Sequence, residues 1–154
     1  MNYWLFKSEP DAFSIDDLDS CRGKRESWDG IRNYQARNLM RDEMKKSDLG
    51  FFYHSSCKVP GIVGIVEVVR EAYPDHTALD PDSRYHDPKA TEEDPRWCMV
   101  DVRLVQRFAE VISLRQLREE PALDGMMLLK KGARLSIQPV SEAHWHVILE
   151  MAGV

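Results

Sequence analysis

The sequence of 154 residues lacks a long apolar run, which excludes a membrane-spanning helix. Its longest apolar stretch, around residues 61–66, is far short of the roughly 20 residues that such a helix needs. The N-terminus lacks the basic and then apolar layout of a secretion signal, so we expect a cytoplasmic protein that does not bind a membrane. Cysteine is also scarce. Cys21, Cys57 and Cys98 are an odd number without metal-binding or redox spacing, and we expect free thiols.

The motifs of the common catalytic and cofactor-binding classes are missing as well. The eight glycines form no phosphate-binding loop, and there is no G-x-S-x-G elbow. His144 and His146 are two residues apart on an expected helix, so they point to different faces and do not form a metal site. The zinc signature of base deaminases is absent too. The sequence therefore predicts neither a metal nor a cofactor.

The net charge of −5 comes from one segment. Residues 75–94 hold seven acidic and two basic residues, and the rest of the chain has 19 of each sign. Between Arg22 and Lys46 the balance reverses, with eight basic residues against four acidic ones. The acidic total argues against broad binding to duplex phosphates, which needs a basic face. It leaves room for a local basic rim around a selective pocket.

Hydrophobic periodicity indicates an α+β fold in a single domain, residues 1–154. Strands are expected at residues 2–6, 51–54, 62–69, 97–108 and 134–138. Helices are expected to begin at Ser14, Asn33, Ser113 and Ser141, and Tyr34, Ala36, Leu39, Met40 and Met44 should share the inward face of the second. No β-α-β alternation appears. The strand at 62–69 is apolar on both faces, which favours a central strand or a stave of a small, partly closed barrel.

A long segment with four prolines, residues 73–96, has no period of its own. Segments of this length inside a domain are usually functional or disordered. We consider two roles for it: folding over a pocket with Tyr85 near the mouth, or contacting another protein through its acidic residues.

Aromatic residues lie beside amide and hydroxyl groups at the ends of the expected elements, in segments 7–10, 28–34, 53–55, 95–97 and 136–139. A nucleobase stacks on an aromatic face, and amide, hydroxyl and backbone groups recognise its edge. Stacking contributes about 1–3 kcal/mol per base. The pattern therefore favours the binding of a flipped or free nucleobase.

Each of these residues also has an ordinary structural explanation. Most tryptophans lie in a core, and we expect this of Trp4 and Trp145. Trp28 lies in a polar stretch, and a core role and a site role are equally open. Asn33 fits a helix N-cap, and His54 fits a hydrogen-bonded residue at a strand end. The remaining ordinary explanations are a solvated helix face for Arg32 and Arg37 and a simple turn for Asp29-Gly30.

Six motifs in order along the chain resemble the EVE domain family. They are WLFKSEP (4–10), WDGIRNYQARN (28–38), FYHS (52–55), PGIVG (60–64), DPRW (94–97) and LSIQPV (135–140). The resemblance implies a PUA-like fold, a small β pseudobarrel of five or six strands with surrounding short helices. It also implies the binding of RNA or DNA through a modified base, with modified cytosine as the first candidate.

We assign site roles at the motif positions by their chemistry. Trp28 and Trp97 would stack on the base, and amides and hydroxyls would recognise its edge. The predicted base pocket consists of Trp28, Asn33, Tyr53, His54, Ser55, Trp97, Ser136 and Gln138. The predicted rim or phosphate contacts are Lys7, Ser8, Arg32, Arg37 and Tyr85.

Two other function classes stay open at this point. Lys7, Ser8 and Glu9 together suggest a small hydrolase of modified nucleosides, in which the lysine favours ionisation of the serine and the glutamate moves the proton. Adjacent strand residues alternate faces, however, so the three converge only if the strand ends by Ser8. The other class is a protein-interaction module that uses the acidic segment 75–94.

Overall fold

Six strands form one mixed sheet in the computed structural model, which describes residues 1–132 and 134–154. The strands are β1 (Tyr3–Ser8), β2 (Arg25–Trp28), β3 (Leu49–His54), β4 (Gly61–Pro74), β5 (Cys98–Ser113) and β6 (Ile137–Val140). Their order is β2-β5-β4-β3-β1-β6; β1 and β3 run parallel, and the other neighbours are antiparallel. The predicted α+β class is confirmed. In the described residues the sheet is not closed into a barrel, and β2 and β6 are its edges.

Four short helices pack on this sheet, and each begins at a side-chain cap. They are α1 (Ile15–Ser20), α2 (Tyr34–Asp42), α3 (Leu114–Arg118) and α4 (Glu142–Ala152). The side-chain oxygens of Ser14, Asn33, Ser113 and Ser141 accept hydrogen bonds from backbone N–H groups of the first turns. The predicted helix starts are therefore confirmed. None of the helices in the described residues is long and apolar enough to cross a membrane.

The edge strands differ from the sequence prediction. No strand was expected between residues 20 and 30, yet β2 pairs with β5 there, with Trp28 opposite Val100. Most of β2 is solvent-exposed, so it carries no apolar alternation that would reveal it. The last strand lies at 137–140 rather than 134–138, and it includes Pro139, which an edge strand tolerates.

Both faces of the sheet are buried, which explains the apolar character of β4 on both sides. Along β1, Phe6 belongs to a core that includes α1 and α2, whereas Leu5 belongs to a second core that includes α3 and α4. Trp4 and Trp145 are buried, as predicted. Tyr34 was expected to face inward with Ala36, but its side chain is 49% exposed, because it begins α2 beyond the edge of the core.

The sheet curls strongly even though it stays open. Three strands separate β1 from β2, yet the rings of Phe6 and Trp28 lie 5.2 Å apart in an edge-to-face contact. Gly50 permits this approach, since a Cβ atom there would lie 2.4 Å from the Phe6 ring. The curl brings the ends of β1 and β2 together on one side of the molecule.

His54 connects β3 to α1 and makes stability depend on pH. Its Nε2 accepts a hydrogen bond from the Ile15 N–H at 3.1 Å, which requires an unprotonated nitrogen. Burial lowers the pKa of His54 below its usual value near 6.5; the negative charge of Asp16 opposes this shift in part, and Arg107 adds to it. Neutral His54 therefore stabilises the fold above pH 6.5, and this stability is lost as the pH falls through the lowered pKa.

We therefore expect the His54→Gln variant, whose amide oxygen does not titrate in this range, to be less dependent on pH than the wild type. The wild-type advantage in the free energy of unfolding should shrink between pH 7.5 and pH 5, measured by urea denaturation at both values. An advantage of equal size at both values would contradict this role.

Candidate functional site

A cavity of about 570 Å³ lies where β1 and β2 end. Its aromatic walls are Phe13, Trp28 and Tyr85. The other lining residues are Lys7, Ser8, Glu9, Ala12, Glu26, Ser27, Asp29, Gly30, Ile31, His76, Arg84 and Ser136. The volume is typical of small-molecule sites, and the lining mixes aromatic, apolar and charged groups.

Trp28 is both a core residue and a wall of the cavity. Its side chain is only 6% exposed, and its ring makes edge-to-face contacts with Phe6, Phe13 and Phe52 at 5.2 to 6.1 Å. These contacts hold the indole rigidly at the cavity. The two alternatives that the sequence left open for Trp28 are therefore compatible.

Asp75 fixes the loop that follows Trp28. Its buried carboxylate accepts hydrogen bonds from the Gly30 N–H at 2.9 Å and from Arg32 Nη1 at 3.1 Å. It also accepts from the backbone N–H and the hydroxyl of Thr77. Burial alone raises the pKa of Asp75, but the hydrogen bonds from Thr77, Gly30 and Arg32 outweigh it and lower the pKa below its usual value.

Arg32 also holds the proline-containing segment against the cavity. Its Nε and Nη2 donate to the carbonyl oxygen of Tyr85 at 2.9 and 2.7 Å. The Tyr85 ring lies directly on Gly30, where a Cβ atom would approach the ring to 2.7 Å. Gly30 also has a φ of +79°, which a side chain disfavours. Segment 75–94 therefore forms one wall of the cavity through Tyr85.

Carboxylates give the cavity its polar character. Burial raises the pKa of Asp29, and the negative charge of Asp75 raises it further. Glu26 and Glu9 are exposed at the same cavity, and Arg84 adds a positive group. The lining is thus not uniformly basic, and it can accept hydrogen bonds from a neutral or cationic planar group.

Five of the predicted site residues line the cavity together, namely Lys7, Ser8, Trp28, Tyr85 and Ser136. The sequence did not single out Glu26, Ser27, His76 and Arg84 as site residues. Asp29 and Gly30 were interpreted as a turn. One feature of the sequence could have identified Asp29 as a site residue: its carboxylate directly follows a tryptophan in an otherwise polar stretch.

Strand alternation places two predicted pocket residues on the opposite face. Tyr53 is buried in the second core, and the Lys7 ammonium lies 5.9 Å from its ring. Gln138 pairs with Leu5, whose side chain belongs to the second core, and its buried amide donates to the carbonyl oxygen of Leu135. Neither side chain lines the cavity.

Other predicted residues support the structure around the cavity. Asn33 caps α2, which is the ordinary explanation given above. His54 accepts from Ile15, and the N–H of Ser55 donates to the carbonyl oxygen of Ser8. These contacts fix the ends of β1 and β3.

Trp97 and Arg37 lie around a separate groove next to α2. The Trp97 ring stacks on Tyr34, and its Nε1 donates to Asp87 at 2.8 Å. Arg37 donates to the carbonyl oxygen of Arg96 at 2.8 Å. Both side chains therefore lie outside the cavity, although the sequence placed them around the same pocket.

The geometry gives no support to the hydrolase alternative. Lys7 lies over Tyr53 on one face of β1, and Ser8 is on the other, where its hydroxyl donates to the carbonyl oxygen of Phe13 at 2.6 Å. Burial lowers the pKa of Lys7, but its ammonium does not face the serine. Within residues 1–132 and 134–154, no group of three potential metal ligands is found.

Replacing Asp75 tests its role as the anchor of the cavity. We expect Asp75→Asn to lower the free energy of unfolding by about 3 kcal/mol, because Arg32 loses the negative charge of its buried partner. Amide exchange at Gly30 should accelerate with it. The matched control is Asp42→Asn, which removes an exposed carboxylate paired with Arg41 and should leave stability nearly unchanged. Equal unfolding curves for the two variants would contradict the anchoring role.

Comparisons with known proteins show the family of this chain. The model of the EVE domain matches residues 2–151. Mouse thymocyte nuclear protein 1 is 43% identical over 97% of this chain and 73% of its own length. A crystal structure of a protein from Pseudomonas syringae has a TM-score of 0.93 at 51% identity, covering 97% of this chain and 99% of that one. Human THYN1, solved in complex with DNA containing 5-methylcytosine, has a TM-score of 0.94 at 38% identity, covering 100% and 99%. The chain belongs to the EVE domain family.

Proposed function

We propose that this protein binds DNA that contains a modified cytosine, with 5-methylcytosine as the first candidate, and takes the base into the cavity beside Trp28. The observation that carries this proposal is the cavity itself, in which rigid aromatic walls adjoin a carboxylate of raised pKa. The similarity to human THYN1, which was solved with DNA containing 5-methylcytosine, supports the same substrate class.

Aromatic walls favour the entry of a planar base. A base inside a duplex is not accessible, so it has to leave the helix and be stabilised by stacking in a pocket. Trp28, Phe13 and Tyr85 provide rings around the cavity, and the contacts of Trp28 hold its ring in place before any base arrives. A preorganised wall of this kind loses little side-chain entropy on binding.

Asp29 is suited to distinguish cytosine from thymine. Cytosine carries an exocyclic amino group that donates hydrogen bonds to a carboxylate, whereas thymine has a carbonyl oxygen at the same position. The Asp29 carboxylate lines the cavity and is partly buried, where such a bond is strengthened. In the same position thymine would place its O4 atom against the carboxylate, so the hydrogen bond from the amino group would be lost and two acceptors would face each other.

The 5-methyl group requires an apolar contact. Ala12, Phe13 and Ile31 contribute apolar surface to the cavity, and burial of one methyl group contributes about 0.8 kcal/mol. This corresponds to a preference of about fourfold for 5-methylcytosine over cytosine. The methyl contact therefore adds modest selectivity to the recognition of the amino group.

Oligonucleotides with 5-methylcytosine, cytosine or thymine at one position separate these two contacts. 5-Methylcytosine and thymine share the methyl group and differ at the amino position. We expect the wild type to bind 5-methylcytosine at least tenfold more tightly than thymine, and Asp29→Asn to lose most of this preference. Fluorescence anisotropy titrations at fixed salt measure both affinities.

The control for this experiment is Glu110→Gln, since Glu110 is an exposed acid on β5 outside the cavity lining. It should keep the wild-type preference.

Because the carboxylate form of Asp29 accepts the hydrogen bond, the preference should fall as the pH decreases through the raised pKa of Asp29. Equal wild-type affinity for all three oligonucleotides would refute the proposal. The same sequences as RNA test whether the sugar is also selected.

A further inference from the structure

A second concave surface lies beside α2, at the start of β5. It is a groove of about 310 Å³, and its lining includes Arg37, Arg41, Tyr73, Arg96 and Trp97. We call it the arginine groove. Three guanidinium groups meet there in a chain whose net charge is −5, and the one acidic side chain in its lining is Asp94. The lining of the groove thus holds more basic than acidic side chains, unlike the whole chain.

An exposed aromatic ring stands next to the groove. Tyr34, Arg37 and Arg41 are spaced three and seven residues apart on α2, so they share one face of the helix. Tyr34 is 49% exposed, its ring stacks on Trp97 at 4.6 Å, and the Arg37 guanidinium lies 4.6 Å from the same ring. An exposed ring beside a guanidinium group is an arrangement on which single-stranded bases stack.

The arginine charges are available to an anion. The hydrogen bonds of Arg37 go to neutral acceptors, the Arg96 carbonyl oxygen and the Asn38 amide oxygen. Arg41 pairs with Asp42 in an exposed contact, and Arg96 lies 3.7 Å from the exposed Asp94. Exposed ion pairs of this kind contribute little, so a phosphate can replace the carboxylates at small cost.

Arg32 lies between the cavity and the groove. The Arg32 guanidinium lies 5.7 Å from the Tyr85 ring at the cavity and 5.4 Å from the Trp97 ring at the groove. A row of alternating rings and guanidinium groups therefore connects the two surfaces. The groove is therefore close enough to the cavity to contact the strand next to a base that enters the cavity.

We propose that the arginine groove binds the DNA strand next to the modified base, with a phosphate on Arg41 and Arg96 and a neighbouring base on Tyr34. This inference rests on the proposed function, because it extends the same bound strand beyond the cavity. Phosphate contacts add affinity without distinguishing bases, whereas the cavity supplies the selectivity. Mutations in the groove are therefore expected to lower the affinity without changing the preference between bases. Mutations in the cavity are expected to change that preference.

Salt dependence provides the test. Binding of 5-methylcytosine and cytosine oligonucleotides is measured between 50 and 200 mM salt for the wild type, Arg41→Gln/Arg96→Gln and Tyr34→Ala. The double variant should bind both oligonucleotides more weakly, and its slope of log affinity against log salt should be shallower by about 0.7 to 0.9, the contribution of one phosphate contact. Tyr34→Ala should weaken both about tenfold with an unchanged slope. Neither variant should change the preference for the methylated base.

Arg115→Gln is the matched control. Arg115 is 88% exposed on α3, on the other face of the sheet, where it pairs with Glu119. The Arg115→Gln substitution should change the affinity and the salt slope only by the small effect of removing one distant charge. Wild-type affinity and slope in the groove variants would overturn this inference while leaving the methyl preference intact. A wild type without methyl preference, but with groove-dependent binding, would instead overturn the proposed base selectivity. Absence of any wild-type binding would overturn both.

Discussion

The cavity depends on one buried carboxylate. Asp75 accepts hydrogen bonds from Gly30, Arg32 and Thr77, so it joins the loop after β2 to the segment after β4. At this point neither segment belongs to a strand or a long helix. Without Asp75, the N–H groups of Gly30 and Thr77 would therefore have no hydrogen-bond acceptor in regular structure. The hydrogen bonds from these donors offset the free-energy cost of burying the charge. Arg32 also donates to the carbonyl oxygen of Tyr85, so it fixes the position of Tyr85 as well. Two irregular segments thereby become rigid walls.

The curvature of the sheet is the second condition. A flat six-stranded sheet would hold β1 and β2 four strand spacings apart, at about 4.8 Å each. The contact between Phe6 and Trp28 shows that the sheet instead folds back on itself, around a core that α1 and α2 complete. The remaining gap between the strand ends is the cavity. Its location thus follows from the shape of the core, and its floor is the rigid Trp28 ring.

Features encoded locally could be predicted from the sequence, and features encoded across the chain could not. Ser113 and Ser141 mark their helices by their own side chains, so those starts were predictable. The sequence of β2 contains no comparable signal, because an exposed edge strand needs no apolar alternation. The family motifs located the right segments around the site, but they did not show which side chains face the cavity. Gln138 and Tyr53 lie in matching motifs, yet strand register turns both toward the second core.

The placement of charge adds a constraint on how a strand can approach. The exposed acids Asp80 and Asp82 belong to the same segment as Tyr85, which lines the cavity. They repel a phosphate backbone there, within a Debye length of about 8 Å at physiological salt. The guanidinium groups beyond Arg32 attract it on the side of α2. A neutral base can enter between the two sides, but its backbone is directed toward α2. If the proposed complex forms, the charges on this segment and on α2 therefore favour one orientation of the bound strand.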